Sequence, residues 1–189
     1  MGTMNIMIVG VGGQGTLLAS RILGNAVVRR GYDVKVSEVH GMSQRGGSVV
    51  TYVKYGDRVY SPVIDRGEAD IILAFELLEA YRALPWLKQG GKIIVNTQRI
   101  NPMPVITGAA EYPENIGEKL GALADLTAVD ALELARRAGS EKAVNVVLIG
   151  VMAKSTAIPY EEWLDTVRTT VPEKFLDINL RAFELGYQL

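Results

Sequence analysis

The chain contains 189 residues with a formal net charge of −1, and 48% of its residues are hydrophobic. This length fits a single domain that can bury a core, and the near-zero charge gives no sign of a nucleic-acid-binding or membrane-attracted surface. Because the sequence has no cysteine, this chain cannot form disulfides, bind zinc through thiolates or ligate an ordinary iron–sulfur cluster. Neither a signal-peptide pattern nor an apolar run of about 18 residues is present, so we expect a soluble, cytoplasmic protein.

The first predicted unit is a buried strand followed by a glycine-rich turn and a helix. Residues 5–9 are almost wholly apolar, as in a buried parallel strand, and residues 16–30 have the apolar spacing of a helix. The turn contains Gly10, Gly12, Gly13, Gln14 and Gly15. A helix that starts after such a turn offers unpaired N–H groups and its positive dipole end to an anion. We predict that these five residues bind substrate or cofactor; the alternative is that the glycines only permit close helix–strand packing.

A second strand is predicted for residues 33–39, with Glu38 near its end. Glu38 follows the last glycine of the turn by about twenty residues, which is the spacing at which dinucleotide-binding folds place an acid on the ribose. Glu38 is therefore a candidate binding residue, and a freestanding NAD(P)-binding dehydrogenase is an alternative function. That alternative is weakened because a predicted hairpin follows directly and no acid–base pair with a second substrate domain is apparent.

A polar segment between two predicted strands, residues 40–47, is named the central loop. Its candidate binding residues are Ser43, Gln44, Arg45, Gly46 and Gly47, and its first residue, His40, is a candidate for catalytic proton transfer. Arg45 has a planar, permanently charged fork that suits a carboxylate or phosphate, and the glycines let backbone approach a ligand. The alternative is that the histidine and the arginine only cap nearby carbonyl groups.

Strands and helices alternate through the middle of the chain. Residues 48–54 and 58–63 flank Tyr55-Gly56-Asp57, which predicts a β-hairpin. Further strands are predicted at residues 70–75, 92–96 and 125–129 and near Val105, and helices at residues 76–87, 115–120 and 131–138. This rhythm predicts an α/β, Rossmann-like fold: a mostly parallel sheet with an antiparallel hairpin and helices on both faces.

The C-terminal part of the chain is predicted to be helical. Residues 144–154 are apolar nearly all round and should form a buried helix, while Pro159 and Pro172 each open another helix. Phe175 and Phe183 are expected in the core. No linker divides the chain, so we expect one domain of residues 1–189, in which residues 4–142 form the α/β core and residues 143–189 form C-terminal helices.

Three blocks of the sequence resemble the gamma-type domain of the 2-oxoacid:ferredoxin oxidoreductases. They are residues 10–15 (GVGGQG), residues 40–47 (HGMSQRGG) and residues 172–183 (PEKFLDINLRAF). The resemblance covers nearly the full length, and the second block is the most distinctive. Within this group the chain is most similar to the separate beta subunits of indolepyruvate:ferredoxin oxidoreductases, because related pyruvate and 2-oxoglutarate enzymes usually differ before the Arg-Gly-Gly.

This resemblance implies a subunit that is active only within a complex. The implied reaction is oxidative decarboxylation of indolepyruvate or another arylpyruvate to an aryl-acetyl-CoA, with coenzyme A as co-substrate and ferredoxin as electron acceptor. Thiamine diphosphate, magnesium and 4Fe–4S clusters are expected in a larger alpha subunit, since this chain has neither cysteines nor a Gly-Asp-Gly followed by Asn-Asn. We expect this chain alone to bind none of these cofactors, no metal, no nucleic acid and no membrane. A purely structural partner subunit is a further alternative.

Overall fold

The computed structural model describes residues 2–41 and 46–189. Its strands are β1 (Met4–Val11), β2 (Asp33–His40), β3 (Ser48–Gly56), β4 (Ala69–Ala74), β5 (Leu87–Asn96) and β6 (Asp125–Val129). Its helices are α1 (Thr16–Arg29), α2 (Leu77–Ala83), α3 (Met103–Ile106), α4 (Ile116–Leu123), α5 (Ala131–Ala138), α6 (Val144–Ala153), α7 (Tyr160–Thr170) and α8 (Leu176–Tyr187). Among the described residues, no helix combines the length and the apolar character needed to cross a membrane.

The six strands form one sheet in the order β2-β3-β1-β4-β5-β6. Strands β1, β4, β5 and β6 pair in parallel, whereas β3 lies antiparallel to both of its neighbours, β1 and β2. The predicted α/β fold, a mostly parallel sheet with an antiparallel hairpin, is therefore confirmed. The hairpin consists of β2 and β3, and the central loop connects them.

The predicted hairpin between residues 48–54 and 58–63 is wrong. Strand β3 does run from Ser48 to Gly56, but residues 57–63 form no strand. Both edges of β3 are already taken, one by β2 and the other by β1, so no edge is left for the following segment. That segment turns away instead, and the N–H of Val59 donates to the carboxylate of Asp33 at 2.9 Å.

Two other local predictions also differ from the structure. The segment around Val105 is the short helix α3 rather than a strand, because Pro102 and Pro104 suit the first turn of a helix and cannot donate to a strand ladder. Phe175 is 44% exposed in a 3₁₀ turn before α8, whereas Phe183 is fully buried as expected.

Helices cover both faces of the sheet. Helices α1 and α6 pack over one face, against alternate strand residues that include Ile6 and Ile8, while α7 packs against α1 and helices α5 and α8 pack against α6. Helices α2 and α4 pack over the other face, against the intervening residues, which include Met7 and Val9. Burial on both faces explains why the central strands are continuous apolar runs rather than alternating ones.

Helix α6 is buried along its whole length, as the all-round apolar pattern predicted. It lies close against α8 at two glycines: an added Cβ at Gly150 would overlap the carbonyl oxygen of Phe183, and one at Gly186 would overlap the carbonyl oxygen of Val147. The absence of side chains at these positions therefore sets the distance between the two helices.

We predict that Gly150→Ala destabilises the chain by about 1–3 kcal/mol, because the added methyl group must push α8 away from α6. The matched control is Gly24→Ala in α1, where an added Cβ meets nothing within 4 Å. That change should be neutral or stabilise by up to about 1 kcal/mol. Urea unfolding of both variants checks this, and equal stabilities would contradict the close-contact interpretation.

Candidate functional site

The chain reverses its direction of winding at the carboxyl ends of β1 and β4. Helix α1 leads from β1 towards β2 on one side of the sheet, whereas α2 leads from β4 to β5 on the other side. In open α/β sheets, ligands bind in the crevice that this reversal creates. The glycine-rich turn, which follows β1, lies at this position.

The turn leaves the start of α1 open. Gly13 and Gly15 have φ angles of 102° and 87°, in the left-handed region that favours glycine. Gly15 is the N-cap of α1, and within residues 2–41 and 46–189 no side chain caps the helix or accepts from the N–H groups of its first turn. This arrangement suits a phosphate or a carboxylate at the helix N-terminus.

A buried amide from the C-terminal part of the chain supports the turn. Asn145, which is 4% exposed in the otherwise apolar helix α6, donates from Nδ2 to the carbonyl oxygen of Gly15 at 3.2 Å. Sequence reasoning missed this residue. Its signal was a single polar amide within a ten-residue helix whose other side chains are apolar.

The side chain of Gln14 is directed into the protein. Its Oε1 accepts the N–H of Val11 at 2.7 Å, and its Nε2 donates to the carbonyl oxygen of Phe75 at 3.1 Å. Gly10 serves the same packing, since an added Cβ there would come within 2.9 Å of Gln14 Oε1. The geometry therefore gives these two residues a part in shaping the turn, and their predicted contact with a ligand stays a prediction.

The glycine-rich turn and the end of the central loop are joined through their main chains. The N–H of Gly12 donates to the carbonyl oxygen of Gly47 at 2.8 Å, and the N–H of Gly46 donates to the carbonyl oxygen of Gly12 at 3.3 Å. Two glycine motifs that are separate in the sequence thus form one surface. The other predicted residues of the loop, Ser43, Gln44 and Arg45, lie outside the described residues.

Glu38 and His40 face this surface from β2. They line a cavity of about 380 Å³ together with Gly12, Gly13, Gly15, Thr16, Leu17 and Val49. The buried hydroxyl of Thr51 approaches Glu38 Oε2 at 3.4 Å, and His40 Nδ1 lies 3.0 Å from the carbonyl oxygen of Gly41. The structure thus brings Glu38 and His40 next to the turn, and their predicted roles toward a ligand stay predictions.

A second cavity of about 470 Å³ lies on the other side of the turn. It is lined by Gly13, Gln14, Gly15, Gln98, Leu132, Glu141, Lys142 and Val144. The two cavities share Gly13 and Gly15, so an elongated ligand can cross the helix N-terminus and occupy both. No sequence pattern indicated that Gln98 and Lys142 line this cavity, because only the folded chain brings their segments next to the turn.

Two buried carboxylates lie where α2 begins, beside the carboxyl end of β4. Glu76, which is 1% exposed, accepts from the N–H groups of Glu79 and Ile100 at 3.0 Å and from the hydroxyl of Tyr112 at 2.5 Å. Burial, together with this hydrogen bond to Glu76, raises the pKa of the Tyr112 hydroxyl, which therefore stays a donor. Glu79 contacts Ser48 and Arg82.

Among residues 2–41 and 46–189, no group of three or more His, Cys, Asp or Glu residues is placed to hold a metal ion. The chemistry that the described site offers is anion binding by main-chain N–H groups, with a carboxylate and an imidazole at its edge.

A family comparison and two named relatives all relate this chain to oxidoreductase subunits. Residues 5–189 match the family described as POR, pyruvate ferredoxin/flavodoxin oxidoreductase. The chain is 45% identical over 194 residues to the indolepyruvate oxidoreductase subunit IorB of Thermococcus kodakarensis, covering 96% of this chain and 93% of that protein. It is 30% identical to the ketoisovalerate oxidoreductase subunit VorA of Methanothermobacter marburgensis, covering 97% of this chain and 36% of that protein.

Solved structures share the fold. The gamma subunit of a keto/oxoacid ferredoxin oxidoreductase from Geobacter sulfurreducens has a TM-score of 0.73 and 26% identity, covering 98% of this chain and 96% of that one. The 2-oxoglutarate:ferredoxin oxidoreductase of Magnetococcus marinus has a TM-score of 0.75 with 17% identity, which shows the fold alone, and the match covers 31% of its chain.

We predict that Gln14→Glu destabilises the chain by about 1–3 kcal/mol, because a carboxylate oxygen would then face the carbonyl oxygen of Phe75 in place of the amide donor. The control is Gln89→Glu, which makes the same chemical change at an exposed position. Urea unfolding measures both. An equal loss of unfolding free energy in both variants would show that the inward hydrogen bonds of Gln14 do not hold the turn.

Proposed function

Because the chain belongs to the pyruvate ferredoxin/flavodoxin oxidoreductase family, we propose that it supplies a ligand-binding surface to a complex that oxidises arylpyruvates. The family predicted from the three sequence blocks is confirmed, and the chain is a subunit of an oxidoreductase that acts on 2-oxoacids with ferredoxin. Its exact substrate, its partner subunit and the roles of its individual residues are proposed from the site geometry and from the named relatives.

The proposed reaction is oxidative decarboxylation of indolepyruvate or a related arylpyruvate to an aryl-acetyl-CoA. Ferredoxin receives the electrons and coenzyme A receives the acyl group. Relatives from four organisms that are named indolepyruvate oxidoreductase subunit IorB support this substrate class. They are 38% to 45% identical to this chain and match it over nearly its full length.

We assign the redox and thiamine chemistry to a larger partner subunit in the cytoplasm. This chain has no cysteine, so its residues do not fit an iron–sulfur cluster. In the ketoisovalerate relative, the matching segment is about a third of a longer protein, so the same domain can be continuous with additional sequence. Residues 1–189 would then act as one gamma-type domain that a separate larger chain completes.

In this division of roles between the two subunits, the glycine-rich turn and the central loop of this chain bind an anionic group of coenzyme A or of the 2-oxoacid. The observation that supports the proposal is the main-chain pairing of Gly12 with Gly46 and Gly47, because it joins these two glycines of the central loop to the turn that precedes α1. Coenzyme A is an elongated ligand with a central diphosphate. The two cavities that meet at Gly13 and Gly15 match that shape.

His40 is proposed to exchange a proton at the edge of this surface. When Nδ1–H donates to the carbonyl oxygen of Gly41, Nε2 carries the free lone pair of the neutral ring. An imidazole nitrogen in this state can accept a proton from a thiol such as that of coenzyme A. Ser43 and Gln44 are proposed to orient the ligand by hydrogen bonding, and Arg45 to grip its anionic group.

The dehydrogenase alternative is not favoured. In a dinucleotide fold, the strand that carries the ribose-binding acid lies directly beside β1, whereas here β3 lies between β1 and β2. One additional strand moves Glu38 about 5 Å farther from the turn.

The proposed partnership predicts that the chain alone is colourless and inactive towards 2-oxoacids, and that it co-purifies from native cells with a larger, cysteine-rich, thiamine-binding subunit. Affinity capture followed by mass spectrometry and visible absorption spectroscopy checks this. Iron–sulfur absorbance in the pure, partner-free chain would contradict the assigned division of labour.

For Arg45, we predict that Arg45→Lys leaves assembly intact but lowers kcat/KM by roughly ten- to a hundredfold, because lysine cannot make a bidentate contact worth about 1.5–3 kcal/mol. Arg45→Ala should be worse. Steady-state kinetics of the reconstituted complex, with 2-oxoacid and coenzyme A varied separately, identify the substrate that Arg45 contacts.

The matched control for Arg45 is Arg21→Lys, an exposed arginine in α1 with no ion pair to any residue that the structure describes. This variant should keep full activity. Unchanged kcat/KM for both substrates in Arg45→Ala would remove Arg45 from the site and favour a purely structural role for the central loop.

A further inference from the structure

The first residue of β3 is held by a buried carboxylate. Ser48 Oγ donates to Glu79 Oε2 at 2.5 Å, across 31 residues of sequence. The other oxygen of Glu79, Oε1, accepts from Arg82 Nη1 at 2.6 Å. The side chain of Glu79 is only 5% exposed, so these two donors replace the water that a carboxylate would otherwise bind.

This contact lies on the face of the sheet opposite the cavity that contains Glu38 and His40. Successive side chains of a strand point to opposite faces. Val49 lines that cavity, whereas Ser48 lines a separate cleft of about 200 Å³ with Glu79 and Arg82. The pair therefore cannot touch a ligand in the first cavity, and any effect on such a ligand must pass through the backbone.

Ser48 occupies the last register position of the ladder between β1 and β3, opposite Val11. Beyond it, Gly46 and Gly47 contact the turn through main-chain hydrogen bonds to Gly12. Glycines have no side chain that could be held. Ser48 is thus the first residue after the central loop whose side chain fixes the position of the chain relative to the sheet.

Glu79 is itself rigidly placed. Its N–H donates to the buried carboxylate of Glu76, which caps α2 and accepts two further hydrogen bonds from Ile100 and Tyr112. An apolar side chain at a buried position is often as stabilising as a paired carboxylate. A carboxylate differs from an apolar side chain here because its hydrogen bond fixes the position of the Ser48 hydroxyl.

We propose that Glu79 and Ser48 are positioning residues, which hold Gly46 and Gly47 against the glycine-rich turn and so keep in place the main-chain surface that is proposed to bind the anion. The part of this inference that concerns anion binding rests on the proposed function, whereas the anchoring of Ser48 by Glu79 does not depend on it. Glu79 acts through Ser48, and Ser48 acts through Gly46 and Gly47.

The test compares Ser48→Ala, Glu79→Met and the double variant with the native chain. Hydrogen exchange followed by mass spectrometry reports on the peptide that contains Gly46 and Gly47. Loss of a hydrogen bond to a charged group should accelerate exchange there roughly tenfold or more. The double variant should match the more affected single variant, because both changes break the same contact.

Two variants serve as controls. Ser48→Thr keeps the hydroxyl and should restore slow exchange, since threonine also suits a strand. Asp165→Ala removes another carboxylate that accepts a hydrogen bond, from Arg168 at 2.6 Å, on the exposed surface of α7 and should not affect the peptide. A thermal unfolding midpoint for each variant separates local opening from global loss of stability.

Kinetics of the reconstituted complex provide the second readout. Ser48→Ala should lower kcat/KM roughly tenfold for the same substrate that Arg45→Ala affects, with little change for the other substrate. Native exchange rates in Ser48→Ala, or accelerated exchange with native kinetics, would overturn the positioning role. If Arg45→Ala itself has native kinetics, the proposed site fails, and the exchange data still decide whether Glu79 anchors Ser48.

Discussion

The pairing of β3 between β1 and β2 is the constraint on which the rest of the site depends. In this position, β3 begins opposite Val11, the last residue of β1, and the two main chains remain in contact at Gly12 and Gly47. Gly46 and Gly47, which lead into β3, are thereby brought beside the turn that precedes α1. Without the additional strand, β2 could lie beside β1, as in a dinucleotide fold, and no second motif would meet the turn.

Buried and half-buried polar side chains then stabilise a single geometry of this backbone arrangement. Gln14 satisfies the N–H of Val11 and the carbonyl of Phe75, Asn145 satisfies the carbonyl of Gly15, and Glu76 caps α2. Each of these groups would be costly to bury without its partners, so each disfavours alternative conformations of the turn. The site is thus supported by side chains that no ligand needs to touch.

The features that could be predicted from the sequence are those decided by local pattern. The buried strands, the open turn before α1 and the all-round apolar helix α6 depend on neighbouring residues, and all three were found. The partner of β3 was missed because the turn signal at Gly56 is local, whereas the choice of strand edge depends on β1, more than 40 residues earlier in the chain. Asn145 and Glu79 were missed for the same reason, since their partners Gly15 and Ser48 are 130 and 31 residues away.

The contact between α6 and α8 bears on how the chain matures. The glycine-rich turn is synthesised well before Asn145, and helix α6, which carries Asn145, packs against α8, which is synthesised later still. Contacts of such long sequence separation close slowly. During synthesis the turn therefore lacks its buried support until α6 and α8 have been made, and only then can the turn be held in its native shape.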